Sequence, residues 1–361
     1  MFITIGGMMG VKKARKKIIG WGVLLVLIVG AVWFWQVCQQ PMSKEDIPVT
    51  VEIHGGTSEV VKQLHNAGLI SSPTIAKVYL KLHKHTFKAN TYVLNKNMNM
   101  SALFSAMEDG KHVVQTKMQV IEGATLSSIA RNVATISQTT EQEVLQTWNN
   151  PEYLKKLTSK YWFLEGVTDQ HTIFPLEGYL APQTYVFSAE KPSVDEITEQ
   201  MLKQMETNLK PYKSTIASFQ VQGKPASLHQ FLTFASIVQK ESLHAADFSK
   251  IAGVFMHRLD TGMKLQSDVT VNYANKESKI DLTHRDLQVD SKYNTYKYPG
   301  LPIGPIASVS KETIDACLHY ENTDNLYFFA IKGGTVIYTK TYEQHMSEIK
   351  KYKEKGLWLG N

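Results

Sequence analysis

Cysteine is almost missing from this 361-residue chain: Cys38 and Cys317 are its two, far apart in sequence. That disfavours a disulfide framework and a cysteine-type metal site. The histidines, His244 and His257 among them, lack a paired ligand spacing. No metal and no cofactor is therefore expected. No Ser/His/Asp or Cys/His arrangement stands out, which argues against a peptidase. Acidic residues are absent up to Glu45, while Lys12, Lys13, Arg15, Lys16 and Lys17 form a basic cluster before it. The net charge is +6, and without that cluster the rest of the chain stands at +1. A nearly neutral body argues against a nucleic-acid-binding domain.

An apolar run comes next. From Ile18 to Val37 it is broken only by Gln36, about the length a bilayer-spanning helix needs. Trp21 stands near one end and Trp33, Phe34 and Trp35 near the other, where interfacial aromatics belong. Residues 1–17 are expected to be a cytoplasmic basic tail and 18–38 a single transmembrane helix, with the remainder outside. A cleaved signal peptide would have a shorter core and a small-x-small site, whereas this run ends in the bulky VWFWQVCQQ. The residues before Cys38 are likewise poor for lipid-linked processing.

Residues 41–48 read as a polar linker. Beyond it VEIHGGTSEVVKQL and MQVIEGATLSSIARNV form a weak internal repeat of strand, glycine turn and helix. Between them lie a helix from Pro73 to His83, a strand at 89–94 and a helix from Met100 to Glu108. Units of this sort resemble the LysM-like modules that bind cell-wall glycans. The region 41–165 is expected to be LysM-like and membrane-proximal, either holding substrate or acting as a spacer. Residues 135–175 are helix-rich, a run of strand-formers occupies 176–187, and a helix from Val194 to Leu209 leads onward. The fold class is α+β.

The segment FLTFASIVQKES (231–242) carries the chemistry. Phe231, Phe234, Ala235 and Val238 have the spacing of a buried helix face, and Ser227 with Gln230 fits a capping box upstream. Glu241 falls on the flank of that apolar stripe. A carboxyl half-sunk in an apolar face resists ionisation. Such a group can serve as a general acid near neutral pH, the chemistry that cleaves a glycosidic bond. The ordinary alternative is a solvated or ion-paired glutamate. A second helix runs from about Phe248 to Leu259, then LQSDVTVNY, where Gln266, Ser267, Asp268 and Thr270 crowd together. SKYNTYKYPGLPIGPI (291–306) brings Tyr293, Asn294, Thr295 and Tyr296 before a Pro/Gly-rich loop that cannot be regular helix or strand. Tyrosines among amides and hydroxyls suit sugars, although each tyrosine alone could be core packing.

In order along the chain, LEGYLAPQTYVF, ASIVQKES, IAGVFMHRLDTGMKLQSDVTV, YNTYKYPGLPIGPI and NLYFFA resemble the endolytic murein transglycosylase family, the MltG or YceG-like group. The similarity runs from about residue 49 to the C-terminus. It implies a catalytic domain at 166–361, an N-terminal anchor in the bacterial cell membrane, and Glu241 at the catalytic glutamate. It further implies non-hydrolytic cleavage of the β-1,4 bond between N-acetylmuramic acid (MurNAc) and N-acetylglucosamine (GlcNAc) in peptidoglycan, leaving 1,6-anhydro ends. Nascent glycan strands would be the substrate, and peptidoglycan synthases (penicillin-binding proteins) with the elongation and division machinery the partners. Gln266, Ser267, Asp268, Tyr293, Asn294, Thr295 and Tyr296 are the expected substrate-binding residues, Asp268 in a structural or substrate-orienting role. A hydrolytic muramidase and a non-catalytic peptidoglycan-binding scaffold are the alternatives. The chain departs from the family pattern at Gln239, where members commonly have a glutamate, and at Gln183, Val269 and Val336.

Overall fold

The computed structural model describes residues 7–109, 112–188, 190–242, 244–279 and 281–359, without the side chains of 7–20 and 23. The chain forms two compact units, 1–116 with 187–190, and 117–186 with 191–361.

The first unit opens with helix α1 (Gly7–Gln39), then β1 (Pro48–Ile53), α2 (Thr57–Asn66), α3 (Pro73–Leu82), β2 (Asn90–Asn95) and α4 (Met100–Asp109). β1 and β2 pair antiparallel, Val51 opposite Tyr92 and Val49 opposite Leu94. The period of two sends Val51, Ile53, Tyr92 and Leu94 into the core. There they meet Val60, Val61 and Leu64 of α2 and Leu103, Phe104 and Met107 of α4. Cys38 and Phe34, near the end of α1, join the same cluster. Earlier in α1, Leu24, Leu25, Val26, Leu27, Ile28, Val29 and Val32 stand exposed. Among the described residues no helix is long and apolar enough to cross a membrane. Residues 1–6 of the expected tail, and the side chains of 7–20 and 23 in the expected tail and span, lie outside that description.

The second unit holds β3 (Thr116–Val120), α5 (Leu126–Ser137), α6 (Glu141–Asn149), α7 (Pro151–Lys160), β4 (Gln183–Phe187), α8 (Val194–Leu209), α9 (Lys213–Ala217), β5 (Gln220–Val221) and β6 (Lys224–Pro225). It continues with α10 (Leu228–Glu241), α11 (Ala245–Asp260), α12 (Asp268–Asn275), α13 (Lys311–Leu318), β7 (Tyr327–Ala330), β8 (Val336–Thr339) and α14 (Tyr342–Glu354). Its sheets are two-stranded: β3–β4, β5–β6 and β7–β8. Both halves of the sequence repeat fold as strand, glycine turn and helix, with Gly55 and Gly123 at positive φ. The compact units divide at Thr116/Lys117, inside the region 41–165 expected to be LysM-like. The reason is long-range packing: Trp148 of α6 donates its Nε1–H to Thr198 Oγ1 of α8 at 2.9 Å, and Lys156 of α7 pairs with Asp195 of α8.

Helix α10 is the centre of this unit. Its capping box forms as the sequence predicts, Gln230 N–H to Ser227 Oγ and Ser227 N–H to Gln230 Oε1. It is more buried than an amphipathic stripe requires: every residue from Phe231 to Gln239 is covered. A helix packed on all sides is a core helix, and α11, α12 and α13 supply the cover.

Candidate active site

Glu241 is the last residue of α10, where the apolar core gives way to the next loop. Ser267, immediately before α12, donates its hydroxyl to Glu241 Oε1 at 2.5 Å. The other carboxyl oxygen accepts no hydrogen bond among the described residues. Burial pushes the Glu241 carboxyl up to about 7; the Ser267 hydrogen bond opposes that, the nearby Asp268 charge adds to it, and the Arg258 guanidinium opposes it. Burial dominates because an ionised carboxylate there would exchange bulk water for one hydroxyl donor.

Ser267 is itself held. Its N–H donates to Thr295 Oγ1 at 3.0 Å, its carbonyl accepts from Thr270 Oγ1 at 2.7 Å, and the two threonine hydroxyls meet at 2.8 Å. Asp268 Oδ1 accepts the Tyr296 hydroxyl at 2.5 Å. Burial again leads in raising the Asp268 carboxyl, against the Tyr296 hydrogen bond. Arg258, from α11, is buried with Nε on the Leu326 carbonyl and Nη1 on the Leu265 carbonyl, its guanidinium 5.4 Å from the Tyr327 ring centre.

The expected residues therefore fall into two groups. Ser267, Asp268, Thr295 and Tyr296 converge on or next to Glu241. Gln266 is exposed beside them, held at φ 47° with its N–H on the Thr295 carbonyl. Asn294 and Tyr293 face inward. Asn294 is fully buried; its amide donates to the Leu287 and Val289 carbonyls and accepts from Tyr296 N–H and Lys297 N–H. It builds the loop that aims Tyr296. Tyr293 is buried against Tyr273, with ring centres 4.8 Å apart. Arg258 carries no signal in the sequence, because an arginine near a helix end looks like a solvated residue.

Glu177 is hidden in the same way. It is buried, with Oε1 accepting Leu126 N–H and Oε2 the Tyr273 hydroxyl, both at 2.9 Å. Burial pushes its carboxyl up to about 8, against those two hydrogen bonds and the nearby Lys240 charge. Gly178 next to it adopts φ 81°, and a Cβ there would overlap the Pro305 ring, so glycine is needed to seat Glu177. The available signal was an acid inside the apolar run LEGYL.

The departure at Gln239 also finds its place. Gln239 Oε1 accepts Ser310 N–H at 2.9 Å and the Thr313 hydroxyl at 2.7 Å, at the start of α13. The side chain is buried and supports a helix cap rather than the Glu241 cluster. A glutamate there could offer the same acceptor oxygen.

Fold and site together describe an α+β protein with a core-helix carboxyl that stays protonated to neutrality and, among the described residues, keeps one oxygen unused, the equipment of a general acid. The chain belongs to the YceG-like family, whose model matches residues 49–351. It is 33% identical to the endolytic murein transglycosylase of Bacillus subtilis (strain 168), over 91% of both chains. It is 32% identical to the endolytic murein transglycosylase of Streptococcus pneumoniae serotype 2, over 84% of this chain and 58% of that one. A crystal structure of a YceG-like protein from Listeria monocytogenes matches with TM-score 0.61 and 36% identity, covering 84% of this chain and all of that one.

Proposed function

We propose that this protein is a membrane-anchored endolytic transglycosylase that cleaves the MurNAc-β-1,4-GlcNAc bond of nascent peptidoglycan strands without water. The observation that carries the reading is Glu241, protonated up to about pH 7 and, among the described residues, bonded through one oxygen only. The relatives from two organisms, both murein transglycosylases by name, supply the substrate class.

The steps need a single carboxyl. Protonated Glu241 gives its proton to the glycosidic oxygen, and the GlcNAc portion leaves with it. The resulting carboxylate, stabilised by Ser267, takes the proton of the MurNAc 6-hydroxyl, and that oxygen bonds to the anomeric carbon. A 1,6-anhydro end results, and Glu241 is protonated again. Two-carboxylate glycosidases need a second carboxyl as nucleophile or base. Asp268 is engaged by Tyr296 and orients substrate in this scheme. Arg258 offsets the carboxylate formed midway.

The exposed apolar residues of α1 support an anchor, because a helix apolar on every side needs an apolar surround. A single pass with residues 1–17 in the cytoplasm would put everything after about residue 40 outside, beside the peptidoglycan synthases. The β1–α2–α3–β2 order supports a LysM-like, glycan-holding role for the first unit. The test is mass spectrometry of uncrosslinked glycan strands incubated with the full chain in detergent, with Glu241→Gln alongside. Anhydro ends that vanish in the variant are expected. Reducing ends would make the protein a hydrolase, and binding without cuts a scaffold.

A further inference from the structure

A cleft of about 820 Å3 lies beside α12. Lys240 and Val269 line it, and they are the immediate chain neighbours of Glu241 and Asp268. Glu241 itself is not part of its wall. The volume suits a small organic group.

Most of the charge in this wall is already neutralised. Arg131 pairs with Glu141 at 3.2 Å, and Lys279 pairs with Glu277 at 2.6 Å and Asp286 at 2.9 Å. Glu177 is satisfied on both oxygens. Among the described residues of the wall, two cations remain. Among the described residues Lys240 Nζ hydrogen-bonds only the Gly123 carbonyl, at 3.3 Å, and the nearby Glu177 holds its proton. The Lys276 side chain makes no hydrogen bond or ion pair among the described residues. Lys276 also sits at φ 55°, a left-handed conformation uncommon outside glycine and asparagine. Ile173, Phe174 and Val269 add apolar surface to the same cleft.

We propose that this cleft is a second subsite, which receives the acidic peptide carried by the glycan strand. Lys240 and Lys276 pair with the peptide's carboxylates, and Ile173, Phe174 and Val269 meet its alkyl side chains. The assignment rests on the peptidoglycan function proposed above: the sugar rings are neutral, and the one lactyl carboxylate of a stripped MurNAc would leave the second cation and the apolar wall unused, whereas the peptide brings several carboxylates with alkyl side chains. A strand seated at Glu241 would bring its peptide substituent past Lys240 and Val269. The cleft thereby favours strands that still bear peptides over stripped ones.

Two measurements separate this idea from the function it rests on. The first compares kcat/KM of the full chain in detergent on uncrosslinked strands that carry their peptides and on the same strands stripped by an amidase. Intact strands should be preferred about tenfold, the contribution of one or two charge-assisted hydrogen bonds. In a Lys240→Met, Lys276→Asn double variant the ratio should fall to near one. Asparagine is chosen because it tolerates the left-handed backbone. The ratio is read within each variant, so a general loss of folding cancels, and Lys276→Arg should retain the preference. The second measurement is calorimetric titration of the Glu241→Gln chain with a synthetic GlcNAc-MurNAc-pentapeptide and with the peptide-free disaccharide. Tighter binding of the peptide form, lost in the double variant, supports the subsite even if no strand is cut. Equal affinities, or a preference that survives the double variant, overturns it. No cleavage of either strand, with the peptide preference intact, would sink the transglycosylase and leave the subsite standing.

Discussion

Glu177 is a buried carboxyl and Glu241 a half-buried one, and both are raised far above the usual range, to about 8 and about 7. They differ in what the protein leaves for others. Glu177 has both oxygens occupied by Leu126 N–H and Tyr273 OH. Glu241 has one oxygen on Ser267 and the other without a partner among the described residues. Burial alone makes a carboxyl hold its proton; an unused oxygen lets it deliver that proton. The first property is shared by both, so a raised pKa does not by itself mark the site.

The strongest way to break this comparison is to neutralise each acid in turn. Glu241→Gln should lower cleavage by roughly 10²–10⁴-fold, the usual contribution of a positioned general acid, while leaving the melting temperature on the acid side, near pH 5, close to that of the parent. Glu177→Gln keeps an acceptor for Leu126 N–H and should retain cleavage within about tenfold. Glu177→Leu strands two buried partners and should cost about 1–3 kcal/mol of stability, read from urea unfolding. If Glu177→Gln were the silent enzyme and Glu241→Gln the active one, the two roles would be reversed.

The same pair predicts how stability depends on pH. Each carboxyl binds its proton more tightly folded than at its ordinary value of 4.5. A raised folded value means that the contribution is fully present below 4.5 and is lost as pH rises through about 7 for Glu241 and about 8 for Glu177. Asp286, held down at about 2 by Lys279, acts only below that window. Melting temperatures of the parent and of Glu177→Gln, taken from pH 5 to 8.5, should converge least at the alkaline end, where the variant avoids ionising a buried group. Parallel curves would show that Glu177 keeps no proton.

How much of the fold and site is legible in the sequence depends on how local the cause is. The helix at Val194–Leu209 and the capping box at Ser227 and Gln230 appear where the local pattern put them. So do the strand, glycine turn and helix at both 48–66 and 116–137. Glu241 was readable because its apolar neighbours lie in its own helix. Glu177 was not, because its burial is made by Leu126 and Tyr273, which are remote in the chain. Asn294 was legible as a residue of the site's loop, but its inward role depends on carbonyls at Leu287 and Val289 that only the folded turn presents. The division of the chain at Lys117 was hidden for the same reason, since the link from Trp148 to Thr198 leaves no local trace.

Gln239 sharpens the contrast from within α10. It lies two residues before Glu241, so the helix turns it about 200° away, toward Ser310 and Thr313. Gln239→Leu should cost about 1–3 kcal/mol by removing a buried acceptor from two donors, while the pH at which cleavage declines stays put. Gln239→Glu restores the acid common in the family and should leave that pH unchanged as well. A shift of the limb in either variant would mean that this side chain communicates with the acid.

The smallest effect concerns Ser267. Its hydroxyl bonds Glu241 Oε1 and favours the ionised form. Ser267→Ala removes that support, so the Glu241 pKa should rise, by less than about one unit for the loss of one neutral donor. In the proposed scheme the acid form acts in the first step, so cleavage by the parent should decline as pH passes about 7. In the variant the decline should move to higher pH. The plateau below it should fall only a few-fold, since Thr295 and Thr270 still hold the Ser267 backbone in place. A limb that moves to lower pH would mean that the hydroxyl stabilises the protonated carboxyl instead. Glu241 would then act chiefly through its base form, taking the 6-hydroxyl proton in the step that limits the rate.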